Sequence, residues 1–182
     1  MSSPLLAGGD IRTDIPSYRI FSHGSLIDEP SAATQYWTDS TVAFLIGCSF
    51  TFEQALLDNG VPVAHIDQGR NVPMYLTDID CEPAGVFSGK MVVSMRPIPP
   101  GQVADAVRIT SRYPAVHGAP VHVGEPAAIG IDDLSAPDFG DAVDVPEGWV
   151  PVFWACGVTP QSIVMSSESV QYWVAAEGSV SY

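Results

Sequence analysis

The sequence predicts a mixed α/β (α+β) protein with an irregular mixed sheet flanked by helices. Apolar runs typical of buried strands alternate along the chain with stretches whose apolar residues recur at helical spacing. The apolar fraction of 46% is ordinary for a globular chain and sufficient for a packed core. Sixteen glycines and sixteen prolines among 182 residues indicate many loops, so we expect short and irregular elements.

The N-terminal third is predicted to contain an extended segment, two helices and one buried strand. Residues 10–24 have the pattern of an extended chain ending in a turn, and residues 32–37 that of a short helix. Residues 41–48 form a continuous apolar run, typical of a strand buried on both faces of a parallel sheet. A helix follows from Phe50, where the apolar spacing becomes helical, and Gly60 supplies its stop signal.

The remaining elements alternate in the same way. A predicted strand over residues 91–97 stops at Pro97, and the prolines that follow it begin a helix over residues 100–112. The other predicted elements are a short strand at 61–67, an extended piece at 70–77, an acidic loop at 135–148, a buried strand at 150–157 and a helix from Thr159.

The charge and composition argue against several functional classes. With seven Lys and Arg against 21 Asp and Glu, the formal net charge is −14, which argues against nucleic acid as a partner. A single lysine leaves no polybasic patch for a membrane surface, and no run of about twenty apolar residues is present to span a bilayer. Residues 1–14 lack the basic start and apolar core of a secretory signal, so we expect a cytoplasmic protein.

The three cysteines, Cys48, Cys81 and Cys156, form an odd and widely spaced set. This pattern favours free thiols in a reducing compartment over a disulfide scaffold. No pair has the CxxC spacing of a structural zinc site, so we predict no metal centre from the cysteines.

Residues 84–124 form a cationic region in an otherwise anionic chain, with a local net charge of +3. The charged residues of this region are one acid and four bases: Asp105, Lys90, Arg96, Arg108 and Arg112. Arg96 and Arg112 are candidates for holding a small anionic substrate, because guanidinium groups bind carboxylates in a bidentate manner. The alternative is that these bases are surface charges paired with nearby acids, or that Arg112 stabilises a helix C-terminus.

Two positions combine the end of a predicted strand with the start of a helix. Cys48 and Ser49 lie at the first, where free backbone N–H groups and the helix dipole favour a carboxylate or an oxyanion. Both residues are candidates for anion binding, and Cys48 also for a nucleophile; a buried cysteine beside a serine N-cap is the structural alternative. Cys156 and Thr159 follow the second strand, and in an α/β sheet both strand ends would face one crevice.

Residues 117–125 hold the densest group of titratable side chains. His117, His122 and Glu125 are candidates for general acid–base catalysis near neutral pH. Metal binding and structural hydrogen bonding are the alternatives, and a spacing of five residues would place the imidazoles on opposite faces of an extended chain. Further candidates for polar contacts with a substrate are Asn71, Tyr75 and Ser111.

Six ordered segments carry a resemblance to a known family. They are FLIGCSFTFEQAL (44–56), GRNVPMY (69–75), MVVSMRPIP (91–99), ITSRYPAVHGAPVHVGEPAAIGI (109–131), PDFGDAV (137–143) and PVFWACGVTPQ (151–161). Together they closely resemble the hydro-lyase family related to D-glutamate cyclase. The resemblance implies two intertwined subdomains, in a single hydro-lyase-like region over 1–182 with 70–125 as a smaller inserted α+β subdomain. It also implies loss of water from a small carboxylic acid, best defined as conversion of D-glutamate to 5-oxo-D-proline and water, and no cofactor.

The resemblance also implies differences at both ends of the chain. Family members carry a longer region before the segment near Asp10 and end in a His-Ala-Pro-Gly-His-like motif, which residues 167–182 lack. Exposure of Trp173 and Val174 in that tail would favour a homo-oligomer. Two alternatives to a hydro-lyase stay open: a non-catalytic binding or assembly remnant of the fold, and an amidase with a cysteine nucleophile.

Several of these candidates have a role in a hypothetical ring closure of D-glutamate. Arg96 and Arg112 hold the carboxylates, while the amides of residues 47–49 stabilise the tetrahedral oxyanion. His117 or His122 acts as base and then as acid, oriented by the Glu125 carboxylate.

Overall fold

The computed structural model describes residues 8–167 and the backbone of residues 171–175. The chain divides into two compact units that interleave in sequence. The first comprises Met1–Phe44, Gly85–Phe87 and Ile163–Tyr182, and the second comprises Leu45–Ala84 and Ser88–Ser162. Helices and two antiparallel sheets confirm the mixed α+β class, although each sheet is purely antiparallel rather than mixed.

The described residues contain seven strands and four α-helices. The strands are β1 (Tyr18–Ser22), β2 (Ser25–Asp28), β3 (Met74–Asp80), β4 (Lys90–Ile98), β5 (His122–Val123), β6 (Val150–Ala155) and β7 (Gln171–Ala175). The helices are α1 (Phe50–Asp58), α2 (Ala64–Asp67), α3 (Val103–Thr110) and α4 (Val158–Ser166). Short 3₁₀ turns cover Thr34–Tyr36, Pro100–Gln102, Pro114–Val116 and Pro126–Ile129. Each helix in this part of the chain is too short or too polar to cross a bilayer.

The first unit is built on the sheet β2-β1-β7, in which β1 pairs antiparallel with both neighbours. Strand β1 lies within the predicted extended segment, and His23 at φ 49° begins the turn to β2. Tyr18 and Ile20 of β1 are buried with Ala33, and the Tyr18 hydroxyl donates to the Ile11 carbonyl at 2.8 Å. The side chains of Trp173 and Val174, predicted to be exposed, lie outside the described residues.

The second unit is built on the sheet β3-β4-β6-β5, with every pair antiparallel. Strand β4 confirms the predicted strand at 91–97, and it continues one residue past Pro97. This is tolerated because Pro97 lies opposite Pro151 of β6, while the register with β3 ends at Ser94. Strand β6 likewise confirms the predicted strand at 150–157.

Side chains alternate across this second sheet and bury a different cluster on each face. Ile98 of β4 and Trp154 of β6 pack against helices α1 and α3, with Phe52 and Leu56 from α1. Val93, Met95 and Phe153 point to the opposite face. There they pack with four residues from β3 and from the loops after β5: Tyr75, Ile129, Ile131 and Val143.

The predicted strand at residues 41–48 is wrong. These residues form no strand, and Val42 and Phe44 are 74% and 83% exposed. An apolar run does not by itself supply a hydrogen-bonding neighbour, and central strand β4 already pairs with β3 and β6. The strand at 61–67 is also wrong, since its second half forms α2. The parallel strand ends expected to face one crevice are therefore absent among the described residues.

The predicted helices are largely confirmed. Helix α1 begins at Phe50 as expected, and α4 begins one residue before Thr159. The helix predicted over residues 100–112 is shorter, because a 3₁₀ turn precedes α3 and the helix ends at Thr110. Ser111 and Arg112 consequently follow the helix rather than forming its last turn.

Candidate functional site

Three segments of the second unit meet in front of helix α1: the turn at residues 47–49, residues 115–117, and Gly157 just after β6. The first is the turn at residues 47–49, which leads into the helix. A Cβ at Gly47 would collide with Val116 and lie 3.1 Å from the Ala115 carbonyl oxygen, so a glycine is needed for this close approach. A Cβ at Gly157, just after β6, would lie 3.9 Å from the Gly47 carbonyl oxygen. The 47–49 turn therefore contacts both other segments.

His117 stands at the meeting point of these segments. Its backbone is left-handed, with φ 81°, a conformation that costs a residue with a Cβ and often marks a functional position. The half-buried ring interacts with the Gly47 carbonyl, and its Cε1 would lie 3.8 Å from a Cβ at Gly157. Backbone strain and ring contacts thus both fix His117 beside the 47–49 turn.

The surroundings of His117 favour its neutral form. Burial lowers the pKa of the imidazole, and the positive charge of Arg96 lowers it further. The interaction with the Gly47 carbonyl acts in the opposite direction but does not outweigh the other two effects. The His117 ring is therefore uncharged at neutral pH and able to accept a proton.

Arg96 lies behind the 47–49 turn, and its guanidinium group is completely buried. Nη2 donates to Ser49 Oγ at 2.9 Å, Nη1 donates to Ser94 Oγ at 3.1 Å, and both Nε and Nη2 donate to Glu53 Oε1. The rings of Phe52 and Trp154 lie 5.1 and 5.3 Å from its central carbon. Arg96 was a candidate for substrate binding, but in this arrangement its donors are directed to protein acceptors.

Glu53 is the counter-charge of Arg96. Burial alone would raise the pKa of its carboxyl group, but His65 and Arg96 outweigh burial and hold that pKa below its ordinary value. His65 Nε2 lies 3.3 Å from Glu53 Oε1. Among the described residues, however, this nitrogen has no partner with hydrogen-bond geometry. The result is a buried ionic pair with a histidine at its edge.

The two candidate cysteines differ in their surroundings. Cys48 is exposed in the 47–49 turn, whereas Cys156 is half-buried with its Sγ 3.3 Å from Met74 Sδ. Burial raises the pKa of the Cys156 thiol despite nearby backbone N–H groups and Arg96, so this thiol is protonated at neutral pH. Thr159 Oγ1 is bonded to both the N–H and the carbonyl of Val92, each at 3.0 Å, and so ties α4 to β4.

Three other predicted site residues lie away from His117. His122 contacts the Phe153 ring at 5.7 Å, on the face of the sheet opposite Arg96. Its Nε2 lies 2.8 Å from the Glu125 main-chain carbonyl, not from the Glu125 carboxylate. Tyr75 is buried on that same face, where its hydroxyl donates to the Leu134 carbonyl at 2.8 Å and burial raises its pKa. The structure thus separates the two histidines that the sequence placed together.

Asn71, Ser111 and Arg112 are exposed. The Ser111 hydroxyl donates to the Val107 carbonyl, and the Asn71 backbone N–H donates to Asp141 at 2.8 Å. Arg112 makes no ion pair with a described residue. The other six Lys and Arg side chains all do: Arg12, Arg19, Arg70, Lys90, Arg96 and Arg108. Three of the four bases in the predicted cationic region are therefore paired with acids. Arg112 is the base of this region that forms no ion pair with a described acid.

A cavity of about 320 Å³ lies elsewhere in the second unit. Its lining includes Tyr75 and the acids Asp132, Asp133 and Asp138. These carboxylates would repel an anionic substrate, so the cavity does not fit one. Within the described residues, no three His, Cys, Asp or Glu side chains are grouped to hold a metal ion.

Sequence reasoning missed Glu53, His65 and Ser94, although two signals were present. Glu53 lies three residues before Leu56 and hence on the buried stripe of α1, where an unpaired acid would be costly. Ser94 and Arg96 alternate within an apolar strand, which places both on one face. His65 carried no such signal, because its segment was predicted as a strand.

The sequence of this chain matches a known family and several named relatives. The model of a family described as D-glutamate cyclase matches residues 42–181. A Corynebacterium urealyticum protein named "Putative hydro-lyase cu1581" is 68% identical over 92% of this chain and 64% of its own length. A Mycolicibacterium gilvum protein named "Putative hydro-lyase" is 69% identical over 91% and 63%. "Putative hydro-lyase YcsI" of Bacillus subtilis is 63% identical over 86% and 61%. The chain thus spans less than two thirds of the length of these relatives.

Proposed function

This chain belongs to the D-glutamate cyclase family, and we propose that it is a hydro-lyase converting D-glutamate to 5-oxo-D-proline and water. The names of its relatives support a hydro-lyase-like function in general. Three free cysteines support the reducing cytoplasm as its compartment. The observation that carries the proposal is the contact of the neutral His117 ring with the turn that begins α1.

The proposed reaction closes a five-membered ring with loss of water. The α-ammonium group loses one proton, and its nitrogen attacks the γ-carboxyl carbon, which becomes tetrahedral as the C–N bond forms. The nitrogen, now positively charged again, loses its second proton. One carboxyl oxygen then takes up both protons, its C–O bond breaks, and it departs as water. Because no electrons are gained or lost, the step needs no oxidant or reductant.

His117 is suited to move these protons. Its lowered pKa leaves the ring neutral, so that one ring nitrogen can accept a proton from the substrate. The protonated ring can then donate to the departing oxygen. The N–H groups of Thr51 and Phe52 already donate to the Cys48 and Ser49 carbonyls, at 3.3 and 3.1 Å. Helix α1 therefore contributes its dipole, whose positive end lies at this turn and favours the tetrahedral oxyanion.

Arg112 is the better candidate for holding a substrate carboxylate. Arg96 is fully buried and bonded to Glu53, Ser49 and Ser94, whereas Arg112 is exposed and unpaired with any described acid. An exposed guanidinium without a competing carboxylate is available for bidentate binding.

The first test is proton NMR of the purified protein with D-glutamate, with L-glutamate in parallel and a sample without protein as control. Formation of 5-oxoproline from the D-form is the expected result. A folded sample that converts neither form would contradict the proposed substrate. A panel of other small hydroxy and amino acids would then separate a different hydro-lyase from a binding or assembly role.

Two variants test the assigned roles. His117→Asn, chosen because asparagine tolerates the left-handed backbone, should lower kcat by roughly 10²–10⁴-fold through loss of acid–base catalysis. Arg112→Gln should raise KM roughly tenfold or more through loss of a charge-assisted bond. Arg108→Gln is the matched control, because Arg108 lies on the preceding helix and pairs with Asp105 at 3.0 Å. Equal steady-state kinetics in Arg112→Gln and Arg108→Gln would contradict the role of Arg112.

The amidase alternative has less support, since burial raises the pKa of the Cys156 thiol. Of the two candidate cysteines, Cys48 is the exposed one, so it is the one to test. If Cys48→Ser retains full turnover of D-glutamate, Cys48 is not a nucleophile in that reaction.

A further inference from the structure

We propose that Arg96, held by Glu53, is a positioning residue that fixes the 47–49 turn through Ser49 and thereby orients His117. This inference rests on the proposed function, since it assigns a role in the same site. Arg96 itself is fully buried, so its guanidinium group is not accessible to a substrate in this arrangement. It acts through the turn that the substrate would face.

The guanidinium group of Arg96 is held from several sides. Glu53 accepts from Nε at 3.0 Å and also from Nη2, while the rings of Phe52 and Trp154 lie at 5.1 and 5.3 Å. A planar guanidinium held in this way presents its remaining N–H groups in fixed directions. One of these groups, on Nη2, donates to Ser49 Oγ at 2.9 Å.

The Ser49 side chain does not cap helix α1, although a serine at this position usually does. Ser49 stands at the N-cap of α1, but its side chain makes no cap hydrogen bond and its oxygen accepts from Arg96 instead. The serine is therefore attached to the core rather than to its own helix. Because Ser49 is part of the 47–49 turn, the same bond also restrains the Gly47 carbonyl.

The Gly47 carbonyl completes the connection to His117. The interaction of this carbonyl with the imidazole favours the protonated ring, and Gly47 itself packs against Ala115 and Val116 just before the histidine. A continuous path of contacts thus runs from Glu53 through Arg96, Ser49 and Gly47 to the ring. Displacement of the turn would move the ring and the helix N-terminus relative to each other, and small displacements lower catalytic rates strongly.

Ser94 supplies a matched control within the same network. Its hydroxyl accepts from Nη1 of Arg96 at 3.1 Å, and like Ser49 it is buried. Ser94 lies on β4, however, and is not part of the turn. Ser49→Ala and Ser94→Ala therefore each remove one hydrogen bond to the same guanidinium group, but only Ser49→Ala releases the turn.

The experiment compares these two variants by steady-state kinetics and by NMR titration of the His117 ring in the free protein. His117→Asn identifies the ring signal by its loss. Ser49→Ala should lower kcat roughly 10- to 100-fold with KM within about twofold. It should also lower the His117 pKa, since the Gly47 interaction that raises it is weakened. Ser94→Ala should change neither, while Tm falls by similar amounts in both. Ser49→Thr, which keeps the hydroxyl, should restore kcat and the titration.

The outcomes separate this inference from the proposed function. If the parent protein turns over D-glutamate and the two alanine variants behave alike in both measurements, the positioning role is wrong and the function stands. If the parent shows no turnover but Ser49→Ala alone shifts the His117 titration, the positioning role stands and the function is wrong. Should Ser49→Ala not fold, Ser49→Cys provides the same comparison, because a thiol is a much weaker acceptor.

Discussion

The two faces of strand β4 contrast in how they are filled. Val93 and Met95 point into a cluster made of apolar side chains and the Tyr75 ring. Ser94 and Arg96, their immediate neighbours in sequence, point to the other face, where a full charge is buried against α1. The face with the buried charge is also the face connected to the 47–49 turn and His117.

The difference shows what each face contributes. The apolar face gains stability simply from surface removed from water. The charged face bears the desolvation cost of Arg96, which is offset only while Glu53, Ser49 and Ser94 all remain in place. Apolar residues of similar volume would often be as stable or more so. The buried pair is therefore better explained by the turn that it holds than by stability.

Removing the counter-charge should have the largest effect on this comparison. Glu53→Ala leaves Arg96 buried without its carboxylate, so we expect the free energy of unfolding to fall by about 3–5 kcal/mol. Urea unfolding followed by circular dichroism measures the loss. The control is Asp105→Ala, which removes an exposed partner of Arg108 and should cost less than about 0.5 kcal/mol. Similar losses in both variants would mean that the buried pair is no more important than a surface pair.

Truncating a buried side chain on the apolar face of β4 should lower the stability of the protein without affecting the candidate site. Met95→Ala removes a fully buried side chain, and we expect a loss of about 2–5 kcal/mol. The NMR titration of His117 should stay unchanged, because Met95 faces away from the Arg96 network. A His117 pKa that moves in Met95→Ala would show that the two faces are coupled through the strand.

Lowering the pH should reduce the stability of the face that contains His117 and Glu53, by a smaller amount than the substitutions above. The folded-state pKa of His117 lies below its ordinary value of 6.5, and that of Glu53 below 4.5. As the pH falls, each group binds its proton in the unfolded state before it does so in the folded state. The stability that the group contributes is therefore fully present above its ordinary pKa and is lost as the pH falls from that value toward the folded-state pKa. Unfolding measured from pH 7 downward should show both losses. His117→Asn should remove the loss that begins near pH 6.5 and leave the lower one; two unchanged losses would contradict the assignment.

Much of the local structure followed from residue patterns. Helix α1, strands β4 and β6 and the start of α4 were predicted within two residues, because apolar spacing and proline positions act locally. The apolar run at 41–48 satisfied the same criteria yet forms no strand. Strand formation needs a paired neighbour, and pairing depends on distant parts of the chain.

The candidate site was likewise predictable in part: the sequence indicated several of its residues, but not which of them lie together. Cys48, Ser49, His117 and Arg96 were all proposed from sequence, and the structure brings Ser49, Arg96 and His117 into one network. His122 was proposed with them, but a two-residue strand turns its ring toward Phe153 on the other face. Such a change of direction at residues 117–122 cannot be read from spacing, because it depends on the left-handed backbone at His117.

By itself, the sequence determined the α+β class, most local elements and the residue types able to move protons and hold carboxylates. Only the tertiary structure decided which of these residues share a face, that Arg96 is paired with Glu53, and that Arg112 is left without a described acid partner. The reason is physical. Local conformation depends on neighbours in sequence, whereas burial, pairing and pKa depend on groups far apart in sequence, such as Arg96 and Glu53, 43 residues away.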